Sequence, residues 1–190
     1  MKKLLVILFI LFFNSEGFSK NQKIAYFAGG CFWCMEPVFD KLEGVNSVIS
    51  GFSGGNVPNP TYQQVVAGRT GHIETVKVSY NPEKITYLEL LKNFWVNIDP
   101  YDGSGQFCDR GKVYTSAIFY QNNEEKNFID QSIKDMKSLK VNKIKTSFTE
   151  FKNSEARVNE IDTKLETYRV EDHNLKLDRW SLDPALYIRK

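Results

Sequence analysis

The chain has 190 residues, 42% hydrophobic and 14% aromatic, enough to fill one core and too few for several independent domains. Lys and Arg number 25 against 23 Asp and Glu, with the signs interspersed, which excludes the one-sided basic surface that holds nucleic acid. The three cysteines are an odd number, which argues against a scaffold held only by disulfides.

Residues 1–19 stand apart. Lys2 and Lys3 precede the uninterrupted apolar run Leu4 to Phe13, and small residues follow at Gly17 and Ser19. This is the pattern of a secretory signal peptide. Ten apolar residues are too few to cross a hydrocarbon core of about 30 Å, so no stable membrane insertion is expected once the signal is cleaved. No cysteine stands at the expected cleavage site, so a lipoprotein is not indicated. Cleavage removes two of the 25 basic and one of the 23 acidic residues, leaving residues 20–190 with a formal net charge of +1. An exported chain, periplasmic or secreted, meets a compartment where disulfides persist, and a CxxC pair there points to redox work.

The domain over residues 20–190 is expected to start with a short buried strand, Lys23 to Phe27. It runs into AGGCFWCMEPVFDKL, Ala28 to Leu42, around which the chain is organised. Met35, Val38, Phe39 and Leu42 follow helical spacing and Gly44 is a plausible stop. Pro37 keeps the helix from starting much before Trp33. Cys31 therefore sits at or just before the helix N-terminus, where unpaired N–H groups favour thiolate over thiol. Gly29 and Gly30 are expected to turn tightly and leave room for a ligand beside the sulfur.

A strand follows from Val45 to Phe52, then a loop from Ser53 to Pro60, then a short helix near Thr61 capped by Asn59 or Thr61 and carrying Tyr62, Val65 and Val66. In the next strand Val76, Val78 and Tyr80 alternate with Thr75, Lys77 and Ser79. Glu74 has the parity of the apolar face, so burial should raise its pKa and suit it to donate a proton. His72 reads as a structural hydrogen-bonding residue. A helix over Tyr87–Ile98 shows Leu88, Leu91, Trp95 and Ile98 on one face. The long loop Asp99–Gly111 holds Cys108 and Asp109 and has the length of a functional loop. Lys112–Tyr120 is a predicted strand. Asn122 to about Leu139 is a predicted helix burying Phe128, Ile129, Ile133, Met136 and Leu139, and Lys143–Phe151 a last strand. Alternating elements with no phosphate-binding glycine loop give an α/β or α+β class. Neither His72 nor His173 shows metal-ligand spacing with the cysteines, so no metal site is expected.

The segments GGCFWC, NPTY, GRTGHIE and CDRGKVYTSAIFY, in this order and spacing between about Ile24 and Tyr120, resemble the peptide methionine sulfoxide reductase A family. The resemblance implies a two-layer α/β sandwich around a mixed sheet. By position it makes Cys31 the nucleophile, Glu74 the proton donor, Phe32 and Trp33 the aromatic pocket for the substrate methyl group, and Tyr62, Tyr114 and Asp109 the residues that hold or support the sulfoxide oxygen. It further implies reduction of the S epimer of methionine sulfoxide, free or in proteins. No bound cofactor is expected, an external thioredoxin-like dithiol is expected to recycle the enzyme, and the chain is expected to act as a monomer.

Many members of that family recycle through a cysteine in a C-terminal tail, whereas no cysteine follows Cys108 here. Cys34 and Cys108 therefore compete as the resolving thiol, with Cys34, three residues from Cys31, the expected first partner. The family's acidic C-terminal signature is only echoed in YRVEDHN, at Glu171, Asp172 and His173. Two rival functions stand beside sulfoxide reduction: a general CxxC thiol-disulfide oxidoreductase, and a non-catalytic module binding through its aromatics.

Overall fold

The apolar alternation in three segments places them side by side. In the computed structural model, which describes residues 21–136 and 143–151, β1 (Lys23–Gly29) lies at the centre. It pairs antiparallel with β3 (Ile73–Tyr80) on one side and with β6 (Ser116–Tyr120) on the other. β2 (Val45–Ser53) adds antiparallel to β3, and β7 (Ser147–Glu150) adds parallel to β6. The resulting mixed sheet has the order β2-β3-β1-β6-β7. β4 (Gly105–Gln106) and β5 (Asp109–Arg110) form a separate small hairpin.

Helices cover one face. α1 (Phe32–Asp40) lies on β2 and β3, and α3 (Tyr87–Val96) packs between α1 and α4 (Asn123–Asp135). Phe27, from β1, stacks between Phe39 of α1 and Phe94 of α3, with ring centroids 4.9 and 5.3 Å away. Truncating such a ring costs about 3–5 kcal/mol. Trp95 ties the helix layer together by donating its indole N–H to Ser132 Oγ at 2.9 Å. The opposite face carries a smaller cluster of Tyr26, Ala28, Ala117 and Phe119. The chain is a single-domain mixed α/β fold, as its alternating elements imply.

Several boundaries differ from the sequence reading. β1 extends through Ala28 and Gly29, which pair with Ala117 and Ser116. In β3 the outward face is not open to water, since Thr75 and Ser79 are buried. Small hydroxyls allow this: Thr75 bonds the Ile73 carbonyl, and Ser79 accepts from Gln22. α2 (Tyr62–Val66) is capped by Thr61, reciprocally with Gln64, and not by Asn59. α3 starts with a capping box between Thr86 and Glu89 and ends at Val96. Its buried stripe is Tyr87, Leu90, Leu91, Phe94 and Trp95, while Leu88 is only half-buried and Ile98 is buried beyond the helix end. Lys112–Tyr114 is a 3-10 turn, not the start of a strand; β6 begins only at Ser116. Asn122 caps α4 by accepting from the Glu125 N–H, and the helix closes at Asp135. Leu139 lies outside the described residues, as do residues 1–19, expected to be a signal peptide, and Glu171, Asp172 and His173. Among the described residues no helix is long and apolar enough to cross a membrane.

Candidate active site

The turn from β1 into α1 requires a glycine. Gly30 has φ +96°, and a Cβ there would lie 2.7 Å from Cβ of Gln106. Gln106 is buried and fixed at both ends of its amide, accepting from Asp99 N–H at 2.7 Å and donating to Asp99 O at 2.9 Å. At Gly29 the added atom would meet Met35 Sδ at 2.5 Å. The space beside these glycines is thus filled by protein, not left for a ligand as the sequence reading supposed. What the two residues permit is close packing of α1 and the 99–111 loop against the sheet.

Cys31 follows as the N-cap of α1, half-buried. Its sulfur is approached by the N–H groups of Trp33 and Cys34, which draw its pKa down. A hydrogen bond with the Cys34 thiol acts more strongly in the other direction and, with burial, raises Cys31 above the usual thiol range. The same bond lowers Cys34. The two sulfurs are therefore coupled through one hydrogen bond, which works against the low-pKa thiolate expected at Cys31 and favours ionisation at Cys34 instead.

The first N–H of α1 does not serve the sulfur. Phe32 N donates to Glu74 Oε2 at 3.0 Å. Glu74 is 2% exposed, and burial pushes its carboxyl up to about 8. The nearby negative charges of Cys31 and Asp109 add to the rise, and the Phe32 N–H opposes it. Burial also raises Tyr62, and it raises Tyr114 to about 12; both tyrosines feel Glu74, Cys31 and Asp109. Their two side chains are hydrogen-bonded to each other. Near neutral pH the site therefore presents three protonated donors, Glu74, Tyr62 and Tyr114, beside a sulfur pair.

Aromatic rings complete the wall. Phe32 and Trp33 lie 5.3 Å apart between centroids, and Tyr62 lies 6.4 Å from Phe32. Phe52, not singled out from sequence, is buried 5.9 Å from Phe32 and 6.3 Å from Tyr62. It stands opposite Glu74 in the β2–β3 register. Gln106 was likewise missed; no local pattern marks it, because its role depends on what it packs against.

Asp109 comes from the small hairpin. Sγ of Cys31, Sγ of Cys34 and a carboxylate oxygen of Asp109 all lie within 4.8 Å of one another. Cys108, next to Asp109, is not in this group. It is exposed at the hairpin tip beside Phe107, which has φ +50°, near enough to Cys34 to oppose the lowering of that thiol's pKa. His72 stands where the sequence reading expected, in a structural network: its Nδ1 accepts from Gly55 N–H at 3.3 Å, leaving Nε2 to donate to Val57 O at 2.8 Å. The fold thus gathers Cys31, Cys34, Glu74, Tyr62, Tyr114, Asp109, Phe32 and Trp33, and sets Cys108 at the rim.

Residues 23–162 match the family model described as peptide methionine sulfoxide reductase. Peptide methionine sulfoxide reductase MsrA of Halalkalibacterium halodurans is 51% identical over 113 residues, which cover 60% of this chain and 64% of that protein. The MsrA/MsrB protein of Vibrio cholerae is 47% identical over 136 residues, 70% of this chain and 36% of that protein. Among solved structures, methionine sulfoxide reductase A of Corynebacterium diphtheriae superposes with a TM-score of 0.66 at 27% identity, covering 79% of this chain and 76% of the other. The matched part thus spans less than two thirds of the length of these two curated relatives. With the match extending over most of the chain and around every residue of the thiol site, the chain belongs to the peptide methionine sulfoxide reductase A family.

Proposed function

We propose that this chain reduces the S epimer of methionine sulfoxide, free or in proteins, to methionine. The observation that carries the reading is Glu74: a buried carboxyl, protonated at neutral pH, bonded to the N–H of the residue that follows Cys31. A thiol-disulfide exchanger has no need of such a group. Expelling oxygen from a sulfoxide requires a proton on that oxygen as sulfur is attacked.

In this reading the substrate methyl group sits among Phe32, Trp33 and Phe52. The hydrogen bond favours ionisation at Cys34 over Cys31, so Cys34 takes the Cys31 proton as the Cys31 sulfur attacks. Glu74 gives its proton to the oxygen while the Tyr62 and Tyr114 hydroxyls stabilise the charge that gathers there. The sulfur–oxygen bond to methionine breaks, methionine leaves, and Cys31 is left as sulfenic acid. A second thiol condenses with it, releasing water and forming a disulfide, and an external thioredoxin-like dithiol reopens that disulfide. Cys34 is the proposed first partner because it already touches Cys31, and Cys108, within the field of Cys34, is the rival or the relay outward. One chain carries every group the step uses, so action as a monomer is proposed. The run Leu4–Phe13 behind Lys2 and Lys3 supports export, and with it repair of periplasmic or secreted proteins.

The general CxxC oxidoreductase is the second reading, favoured by the Cys31–Cys34 hydrogen bond alone. Incubating the purified protein with dithiothreitol and each epimer of a methionine sulfoxide peptide, and reading the loss of one oxygen by mass, separates the two. Turnover of the S epimer only is expected. Turnover of neither epimer overturns the proposal.

A further inference from the structure

Cys31, Cys34 and Asp109 have a second property besides thiol chemistry. The two sulfurs leave the first turn of α1 three residues apart and on one side, and the carboxylate reaches them from a different frame, the hairpin. That hairpin is held by the Gln106 amide on Asp99 and by Arg110, whose guanidinium grips Asp102 at 2.6 Å. Three metal-ligating atoms from two independently braced backbones thus lie within 4.8 Å of one another.

A tetrahedral zinc ion, with Zn–S of about 2.3 Å and Zn–O of about 2.0 Å, holds two sulfurs about 3.8 Å apart and a sulfur and an oxygen about 3.5 Å apart. No pair of atoms here needs to close by much more than about 1 Å, which small side-chain rotations supply. Exposure also fits an ion that enters from solvent: Cys34 is exposed, and Cys31 and Asp109 are half-buried. Donor chemistry narrows the choice. Two thiolates are too soft for magnesium or calcium, which take sets of oxygens, and the carboxylate is a poor partner for Cu(I). A borderline divalent ion such as zinc remains.

We propose that the reduced chain binds one Zn2+ through Cys31 Sγ, Cys34 Sγ and the Asp109 carboxylate, with water at the fourth position. On binding, the remaining S–H bonds break and their protons pass to solvent while two Zn–S bonds and one Zn–O bond form; no electron moves. The ion occupies the sulfur that sulfoxide reduction would use, so the loaded chain is held reduced and silent until the metal is withdrawn. Binding stands on the geometry alone, and only the silencing rests on the proposed function.

The test titrates the fully reduced, full-length chain with Zn2+ against a chromophoric chelator, and repeats the titration with Co2+ read by its visible spectrum. One ion per chain is expected, with the intense bands of tetrahedral cobalt and a thiolate charge-transfer band. Cys34→Ser and Asp109→Asn, checked for fold by circular dichroism, should each weaken zinc binding by at least about tenfold, and Cys108→Ser should leave it unchanged. Unweakened binding in Asp109→Asn, or an octahedral cobalt spectrum in the unsubstituted chain, overturns the site. Metal affinity is read without turnover, so failure here leaves the sulfoxide reading standing, and an inactive chain can still reveal the site.

Discussion

The backbone N–H of Phe32 donates to Oε2 of Glu74 at 3.0 Å, so the buried carboxyl and the residue next to Cys31 are joined by one bond although they stand far apart in sequence. The bond makes Oε2 the acceptor and holds the carboxyl beside the start of α1. It also limits the rise that burial imposes, which ends at about 8. The carboxyl is then loaded at neutral pH yet close enough to ionising to give its proton away.

Glu74→Gln should keep the Phe32 bond through its amide carbonyl and slow the sulfoxide step by roughly 10²-fold or more. In single-turnover experiments across pH, the unsubstituted chain should lose activity as pH rises through about 8, and the variant should lack that alkaline limb. An unchanged neutral-pH rate removes Glu74 from the chemistry.

The same carboxyl bears on stability. Folded, Glu74 keeps its proton up to about pH 8; unfolded, it loses it near its ordinary value of 4.5. Between those values the folded chain binds more protons, so its stability falls as pH rises through that window. Glu74→Gln removes this loss. Melting curves should show the variant gaining on the unsubstituted chain from about pH 5 upward and the gain levelling above about pH 8.

Cys31→Ser should abolish reduction, because a hydroxyl without a strong adjacent base is a poor nucleophile. Cys34→Ser and Cys108→Ser should each still release one equivalent of methionine, since resolution follows oxygen transfer. Trapping free thiols after one turnover and mapping the disulfide by mass spectrometry should find Cys31 bonded to Cys34. A dominant Cys31–Cys108 bond, with Cys34 freely alkylated, reverses that order.

Tyr62→Phe and Tyr114→Phe should each lower kcat/KM by roughly 10²-fold, the scale for one lost donor to a developing oxyanion. The hydroxyls are bonded to each other, so removing one also loosens the other, and the double variant should lose less than the product of the single losses. Strict additivity in that cycle means the two do not act on the same oxygen.

Gly30→Ala should cost about 1–3 kcal/mol in backbone strain, plus displacement of Gln106. Gly68 is the control, since it too has positive φ, +72°, but nothing within 4 Å of an added Cβ. Gly30→Ala should therefore lower Tm more than Gly68→Ala, and should also slow alkylation or turnover at Cys31. Equal Tm losses would show that Gln106 yields freely.

Much of this arrangement is legible in the sequence where a residue's task is local. Pro37 and the stripe Met35, Val38, Phe39 place α1 and hence Cys31 to within a residue, and strand parity alone marks Glu74 as buried. What is not legible depends on tertiary partners. Phe52 looks like any strand-end aromatic until the register sets it opposite Glu74. Leu88 and Phe94 exchange importance because α3 is covered on two sides, by α1 and α4, and a single apolar stripe does not describe such a helix. Lys112–Tyr114 has strand-like composition, yet its carbonyls serve a tight turn: Lys112 O accepts from both the N–H and the hydroxyl of Thr115. The turn brings Tyr114 to Tyr62.

Cys108 and Asp109 are neighbours on a hairpin so closely folded that a Cβ on Gly105 would fall 2.2 Å from the Asp109 carbonyl oxygen. A Cβ at Gly105 therefore cannot be admitted without shifting the strand that carries Asp109 to the two sulfurs and Cys108 to the rim, so the one atom withheld at Gly105 sets where both side chains stand.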